Sequence, residues 1–392
     1  MKNCVIVSTA RTPFARSWKG ALNMTHGATL GGHVVQAAVA RAGIDPARVE
    51  DVVLGCANPE GANGGNLARQ SAIRAGLPVT VPGVTVNRFC SSGLQALAFA
   101  AQRIQTGECD ILVAGGAESI SCVQRELNMH MFEEPWIAAH KPELYWPMLR
   151  TAEHLAQRYE VSRERQDAYG AQSQQRASAA RAAGCFSAEI QPITTLTCKV
   201  DAVTGDLRSE QVTVSDDDGV RCDTTVGTLV QVRAALPGGT VSAGNASQIT
   251  DGAAACVLME ENAASRAGCE ALGRFHGFSV AGCEPAEMGL GPIHAIPKLL
   301  ARAGLSLEDV GLWEINEAFA VQVLLCRDRL GIADDLLNVN GGAIALGHPY
   351  GATGARMVGQ LLAEGRRRGV RWVVASMCVG GGQGAAALFE VY

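Results

Sequence analysis

Two thiols and an imidazole, each set in a glycine- or serine-rich turn, are the groups in this chain best placed to do chemistry. The first segment is Val86-Asn87-Arg88-Phe89-Cys90-Ser91-Ser92-Gly93-Leu94. The second is Asn340-Gly341-Gly342-Ala343-Ile344-Ala345-Leu346-Gly347-His348-Pro349, and the third is Cys378-Val379-Gly380-Gly381-Gly382-Gln383-Gly384. In such turns backbone N–H groups can face a ligand instead of a ladder partner. A reactive thiol, a base to ionise it and a second thiol to carry a proton suffice to make and break thioesters.

Each candidate has a plainer reading. Cys90 could simply fill a tight turn. At a strand-to-helix junction, however, the free N–H groups of the helix end lower a thiol pKa and favour the thiolate. A lone histidine is more often structural than catalytic, but Gly347 and Pro349 give His348 a fixed and unusual backbone path. The glycines after Cys378 would let a large ligand approach the backbone and let the Gly380 N–H point into a site. Asn316, in Asn316-Glu317-Ala318-Phe319, follows a strand-like run and could hold a water or a carbonyl oxygen. It could equally cap a helix.

Two other chemistries fail on spacing. Gly380-Gly381-Gly382-Gln383-Gly384 superficially suggests a dinucleotide loop, yet too little chain follows Gly384 for a βαβ unit or a ribose-binding acid. The eight histidines show no HExxH pattern and the cysteines no CxxC pattern, so no metal is expected.

The elements that must position these residues come in two copies. Ala40-Arg41-Ala42-Gly43-Ile44 recurs as Ala301-Arg302-Ala303-Gly304-Leu305, an offset of 261 (301 minus 40). Val49-Glu50-Asp51-Val52-Val53-Leu54 matches Leu307-Glu308-Asp309-Val310-Gly311-Leu312 at 258 (309 minus 51). Thr85-Val86-Asn87 before Cys90 mirrors Asn338-Val339-Asn340 before His348 at 253 (340 minus 87), and both lead to a small-residue helix start, Ser92-Gly93 and Thr353-Gly354. Ile111-Leu112-Val113-Ala114-Gly115-Gly116 pairs in the same order with Trp372-Val373-Val374-Ala375-Ser376-Met377. Each copy alternates helical stretches with short apolar strands, which predicts an α/β fold with a mainly parallel, buried sheet. Ligands of such sheets sit beyond the carboxyl ends of the strands, where Cys90, His348 and Cys378 all fall.

Between the copies the pattern changes. An irregular stretch around 128–150 carries Trp136, Tyr145 and Trp146, a helix is expected from about Ser162 to Ala183, and Ser215-Asp216-Asp217-Asp218-Gly219 reads as an exposed turn. The insertion is read as a lid. The expected division is 1–120 plus 246–265 for the N-terminal half, 121–245 for the lid and 266–392 for the C-terminal half.

With 47% hydrophobic and 18% charged residues the chain is globular, and 392 residues require more than one core. A formal net charge of −5 argues against nucleic-acid binding but leaves room for a phosphorylated ligand held by local arginines. Thirteen cysteines with no signal peptide point to a reducing cytoplasm, with most thiols buried as small hydrophobes. No apolar run approaches the roughly 20 residues a membrane span needs.

Cys90-Ser91-Ser92-Gly93, Asn316-Glu317-Ala318-Phe319, Gly347-His348-Pro349 and Cys378-Val379-Gly380-Gly381 together resemble the signature blocks of the thiolase family, in order and at family spacing. Ala10-Arg11-Thr12-Pro13 and Asn245-Ala246-Ser247-Gln248-Ile249-Thr250-Asp251-Gly252 are also similar to family segments. The resemblance covers nearly the whole chain. It implies a duplicated α/β/α/β/α layered fold with an inserted lid. It makes Cys90 the acylated nucleophile, His348 its activator and Cys378 the second acid/base. Asn316 would hold the water of one oxyanion hole, and the Cys90 and Gly380 N–H groups would form the other. Acyl-CoA and CoA would be substrates, with no cofactor. Ser247 would lie near the pantetheine, Arg221 near the nucleotide end, and Phe319 and Met148 among the substrate contacts. A homodimer or homotetramer is implied.

Met148-Leu149-Arg150-Thr151-Ala152-Glu153-His154 departs from the family pattern, which bears on acyl-chain preference and not on the chemistry. Gln248 and Asn338-Val339-Asn340-Gly341-Gly342-Ala343-Ile344-Ala345 look more like degradative members. The expected function is cleavage of 3-ketoacyl-CoA by CoA. The alternatives are a biosynthetic acetyl-CoA acetyltransferase, a ketoacyl synthase (which would carry a second histidine at Cys378) and a non-catalytic acyl-CoA-binding scaffold.

Overall fold

A computed structural model describes residues 2–201 and 204–392. The chain opens with β1 (Cys4–Arg11), the two-residue β2 (Ala15–Arg16) and α1 (Gly27–Ala42). Next come β3 (Asp51–Gly55), α2 (Leu67–Arg74), β4 (Gly83–Val86), α3 (Ser92–Thr106) and β5 (Ile111–Glu118). The inserted stretch forms α4 (Pro135–His140), α5 (Met148–Arg158), α6 (Arg163–Ala182), the antiparallel pair β6 (Ile193–Val200) and β7 (Leu207–Val214), and the short α7 (Val226–Val230). β8 (Thr250–Glu260) and α8 (Glu261–Ala267) follow. The second copy then runs β9 (Gly273–Gly282), α9 (Gly291–Ala303), β10 (Leu312–Ile315), α10 (Ala320–Leu330), α11 (Ala343–Leu346), α12 (Tyr350–Arg368), β11 (Trp372–Val379) and β12 (Gln383–Val391).

The repeated pentapeptide has a local cause. Gly43 and Gly304 both take the left-handed conformation that closes a helix, α1 in one copy and α9 in the other. The strands agree on the offset: Asp51 pairs with Leu112 and Leu312 with Val373, so both positions are displaced by 261 (312 minus 51, 373 minus 112). The repeat around Asp51 is therefore three residues out of step with the alignment of Asp51 on Asp309.

The strands run in the order β10-β11-β12-β9-β1-β8-β5-β3-β4. One half is β4-β3-β5-β8-β1 and the other β10-β11-β12-β9, and β1 meets β9 antiparallel at Val5–Arg274 and Ile6–Gly273. The sheet is mixed, not mainly parallel. Among neighbouring strands only β4-β3-β5 and β10-β11 are parallel; the strands that α1 and α9 join, β1 with β3 and β9 with β10, are kept apart by other strands. β12 returns from β11 through the tight Gly380–Gly382 turn, and β8 comes back from the insertion to lie between β5 and β1, so both run antiparallel.

Alternation along the strands sorts side chains into layers. In β5, Ile111 and Val113 face the core under α1 and α2, while Leu112 and Ala114 face the one containing α3 and α12. In β11, Val373, Ala375 and Met377 face α3 and α12, whereas Val374 and Cys378 face the core under α9 and α10. The result is outer helices, half-sheet, a central α3/α12 layer, half-sheet and outer helices. The two central helices approach closely: a Cβ on Gly93 would lie 2.3 Å from the Gly351 carbonyl oxygen, and one on Gly354 would lie 2.5 Å from the Leu94 nitrogen. Only hydrogen fits at either position.

The expected 162–183 helix runs Arg163–Ala182, capped by the Ser162 side chain, which accepts from the Arg165 N–H. The expected exposed turn at 215–219 is different. Asp217 is buried, takes two parallel bonds of 2.7 and 2.8 Å from the guanidinium of fully buried Arg11, and also accepts the Phe14 N–H. Glu189 accepts from Arg11 Nε on the other side. Only Ser215 and Asp216 of this stretch are exposed, and they bond each other. The thiols also divide more evenly than expected. Six of the thirteen are buried, six are intermediate and Cys222 is exposed, with all of them free.

Candidate active site

The strands carry the reactive residues to one edge, and local bonds set their directions. Cys90 sits in a 3-10 turn, Phe89–Ser91, between β4 and α3. Phe89 has a φ of 44°, a conformation a side chain seldom adopts. It is held there by three contacts: its N–H donates to Asn87 Oδ1 (2.7 Å), its carbonyl accepts from Ser92 Oγ (2.6 Å), and Ser92 Oγ accepts the Arg88 N–H (2.9 Å). Asn87 is in turn fixed on the Ala57 carbonyl. The turn thus sets the Cys90 sulfur where its own N–H and that of Gly380 both point at it.

Gly380 lies in the β11–β12 turn. A Cβ there would stand 3.8 Å from Met148 Sδ and 3.8 Å from the Phe89 ring, so this glycine keeps open a space walled by Met148 and the Phe89–Ser91 turn. Arg88 ties the two turns together, donating from Nη1 to Gln383 Oε1 (2.8 Å) and from Nε to Gln95 Oε1 (2.7 Å). Cys378, near the end of β11, is buried, and Cys90 is close enough for its charge to disfavour the Cys378 thiolate.

His348 enters from the other half. Gly347 before it has a φ of 106° and packs against Thr250, leaving no room for a side chain. The His348 N–H donates to the Gln248 carbonyl, Nδ1 lies 2.7 Å from Thr353 Oγ1, and Nε2 lies 3.3 Å from Asn316 Nδ2. The Tyr350 ring stands edge-on to the imidazole with centroids 5.2 Å apart, and also feels charge on Cys90. Asn316 does not cap α10, which begins four residues later behind Phe319. Its amide is buried, and its Oδ1 has no partner among the described residues.

Burial dominates the electrostatics. It pushes the Cys90 thiol up to about 11, although the N–H groups of Gly380 and Cys90 pull the other way. Part of the residue remains accessible, which is how an acyl group could reach it. Burial also raises Cys378 well above the usual thiol range. His348 is lowered to about 3, by burial first and then by the Arg356 guanidinium. The expectation of a resting thiolate at a helix end therefore does not hold. The site at rest is a neutral thiol, a neutral imidazole and a second neutral thiol, because removing three groups from water outweighs two backbone donors.

The structure thus gathers Cys90, Gly380, Cys378, His348, Asn316 and Met148 into one centre. Ser247 and Phe319 lie on two segments that touch: the Ser247 N–H donates to the Ala318 carbonyl, and Ala246 bridges to Phe319. Arg221 stands apart on an exposed loop, its N–H held by Gln174 Oε1. Reading the sequence gave no functional role to Phe89, Gln383 or Arg356. Nor did it give one to Thr353, although Thr353 was visible as the counterpart of Ser92 in the repeat. Among the described residues no group of three or more His, Cys, Asp or Glu could hold a metal ion, and no helix is long and apolar enough to cross a membrane.

The thiolase N-terminal domain matches residues 4–262 and the thiolase C-terminal domain residues 269–391. The chain belongs to the thiolase family. It is 45% identical over 393 residues to a 3-ketoacyl-CoA thiolase of Bacillus subtilis (strain 168), covering 100% of both chains. A crystal structure of the Bacillus anthracis acetyl-CoA acetyltransferase superposes with a TM-score of 0.89 at 39% identity, covering 100% of this chain and 99% of that one. The human mitochondrial 3-ketoacyl-CoA thiolase in complex with CoA gives 0.87 at 35% identity, covering 100% and 98%.

Proposed function

We propose that this thiolase cleaves 3-ketoacyl-CoA with free CoA, releasing acetyl-CoA and an acyl-CoA shortened by two carbons, through an acyl group carried on Cys90. The observation that carries this reading is the convergence of the Cys90 and Gly380 N–H groups on the Cys90 sulfur, beside a neutral imidazole and a second thiol.

The Cys90 thiol passes its proton to His348 Nε2 as sulfur attacks the keto carbon. The oxygen that becomes negative is met by the Cys90 and Gly380 N–H groups, donors already fixed by the turns. The C2–C3 bond breaks, and the electrons left on C2 take the proton of Cys378. The thioester oxygen of this enolate is stabilised by protonated His348 and a water on Asn316. After acetyl-CoA leaves, the Cys378 thiolate takes the proton of an incoming CoA, whose sulfur attacks acyl-Cys90. The Cys90 thiolate then recovers its proton from His348. The same residues run the reverse condensation, a direction favoured by the similarity to proteins named acetyl-CoA acetyltransferase.

The pantetheine would pass Ser247 beside Phe319 and the nucleotide would reach Arg221, with Met148 on the acyl side. We read the chain as two halves, 1–120 with 246–265 and 266–392, under a lid at 121–245. The thirteen free thiols suit a reducing cytoplasm. A homo-oligomer fits two surfaces. β4 is a sheet edge with exposed Val84, near exposed Val79 and Phe99, and the β6–β7 pair exposes Leu196, Val200 and Leu207.

Mass spectrometry after exposure to acetoacetyl-CoA should find an acetyl group on Cys90, and none anywhere on Cys90→Ala. Turnover by that variant should fall by about 10⁴ to 10⁶. Full thiolysis by folded Cys90→Ala would refute the reading, and an acyl-length series would identify the preferred chain.

A further inference from the structure

His348 can serve as a base in this reading only if Nε2, the nitrogen facing Asn316, carries a lone pair, and its two nitrogens are not interchangeable. His348 is 2% exposed, Asn316 1% and Thr353 0%, so the two ring nitrogens find their partners inside the protein, Thr353 at Nδ1 and Asn316 at Nε2.

Thr353 Oγ1 lies 2.7 Å from His348 Nδ1 and 3.0 Å from the Pro349 carbonyl oxygen, one turn back along α12. Its single hydroxyl proton can serve one of them. Pro349 O can only accept, whereas Nδ1 can donate or accept. If the hydroxyl donates to Pro349 O, its lone pairs are free for an Nδ1–H. Nε2 then holds the lone pair, and Asn316 Nδ2 donates to it. Every proton in this chain of three contacts has an acceptor. In the opposite arrangement the hydroxyl donates to Nδ1, two oxygens face each other at 3.0 Å with no proton between them, and Nε2–H must turn the Asn316 amide round. The first arrangement is the more completely bonded one.

We infer that Thr353 is a positioning residue for the reaction: its hydroxyl accepts the Nδ1–H of His348 and so holds Nε2, on the Asn316 side of the ring, as the free base that takes the Cys90 proton. The inference rests on the acyl-transfer reading of the site for its kinetic consequences, though not for the tautomer itself. The duplication offers an independent parallel. Ser92 lies at the same offset of 261 (353 minus 92), also in the first turn of a central helix, and its hydroxyl braces the Cys90 turn by donating to Phe89 O and accepting the Arg88 N–H. One hydroxyl per half steadies that half's reactive residue, one through the backbone and the other through the ring. Burial and the Arg356 charge keep the imidazole unprotonated at neutral pH, but they do not choose between its nitrogens. Thr353 does.

The test compares Thr353→Val and Thr353→Ser with the unmutated enzyme, following acetylation of Cys90 by acetyl-CoA and its alkylation by iodoacetamide across pH. Thr353→Val should lose at least about tenfold in both rates at pH 7, part of the roughly 10²–10⁴ a placed base supplies. Its alkylation should recover only as pH rises toward the thiol's own ionisation, while Thr353→Ser stays within about threefold of the unmutated rates. Thr353→Val with unmutated rates and pH profile, or Thr353→Ser as slow as Thr353→Val, would overturn the inference. The tautomer is also readable without a variant, from ¹⁵N shifts of imidazole-labelled enzyme. A proton on Nδ1 of His348 supports the role, and a proton on Nε2 removes it even if Thr353→Val does not fold. Failure of the acyl-transfer reading shows itself separately, as unmutated enzyme that never acetylates Cys90.

Discussion

Keeping both thiols protonated has a measurable signature. Below its pKa a thiol binds a proton, so with Cys90 near 11 almost no thiolate exists at pH 7. Thiolate absorbance near 240 nm, taken as the difference between the enzyme and Cys90→Ser, should appear only as pH climbs toward 11. A midpoint below the usual value of about 8.5 would contradict the burial argument. On the acid side the imidazole stays unprotonated down to about 3, so acylation should not weaken between pH 7 and pH 5 through loss of the base. Cys378 separates the half-reactions. Cys378→Ser should still take an acetyl group on Cys90, yet fail to condense it with a second acetyl-CoA, since a hydroxyl is a far poorer base near neutral pH. Condensation at the unmutated rate would move that proton transfer to another group, such as His348.

At the scale of elements, the buried latch of Arg11, Asp217 and Glu189 joins the end of β1 to the inserted stretch. Removing one partner of such a cluster costs about 3–5 kcal/mol because the other charge stays behind unpaired. Asp217→Ala should therefore lower the melting temperature sharply. Asp216→Ala, next door but exposed, should change stability by no more than about 0.5 kcal/mol. Equal melting temperatures for the two variants would mean that the latch carries no load. This contrast also marks where sequence reading reaches its limit. Cys90, His348 and Cys378 stand out because a turn rich in glycine is a local pattern. Nothing local in Asp216-Asp217-Asp218 says that the middle carboxylate meets a guanidinium 206 residues away. Strand direction was misjudged for a similar reason: the apolar runs announce strands, but only the path of the returning chain decides which way β8 and β12 run. The protonation state of Cys90 is hidden for the same reason, since the burial that raises its pKa comes from distant parts of the chain and cannot be read from the turn itself.

At the scale of the whole molecule, the apolar surface at the β4 edge predicts assembly through that edge. Val84→Asp should shift the enzyme to a smaller species in sedimentation, and an unchanged mass would place the interface elsewhere. The duplication was legible as ordered correspondences, and the mixed sheet makes physical sense of them: the copies meet through β1 and β9, and their central helices deliver Cys90 and His348 to one place.

The position of β8 bears on how the protein is born. It lies between β1 and β5, yet its start is 132 positions beyond the end of β5 (250 minus 118). At about 5–20 residues per second, a ribosome needs on the order of 7–26 seconds to supply it. During that interval β1 and β5 have emerged with bare edges, open to pairing with other nascent chains. The first half of the molecule must wait for a strand encoded far downstream, so overproduction that crowds ribosomes on a message should lose this protein to inclusion bodies sooner than it would a fold assembled in order.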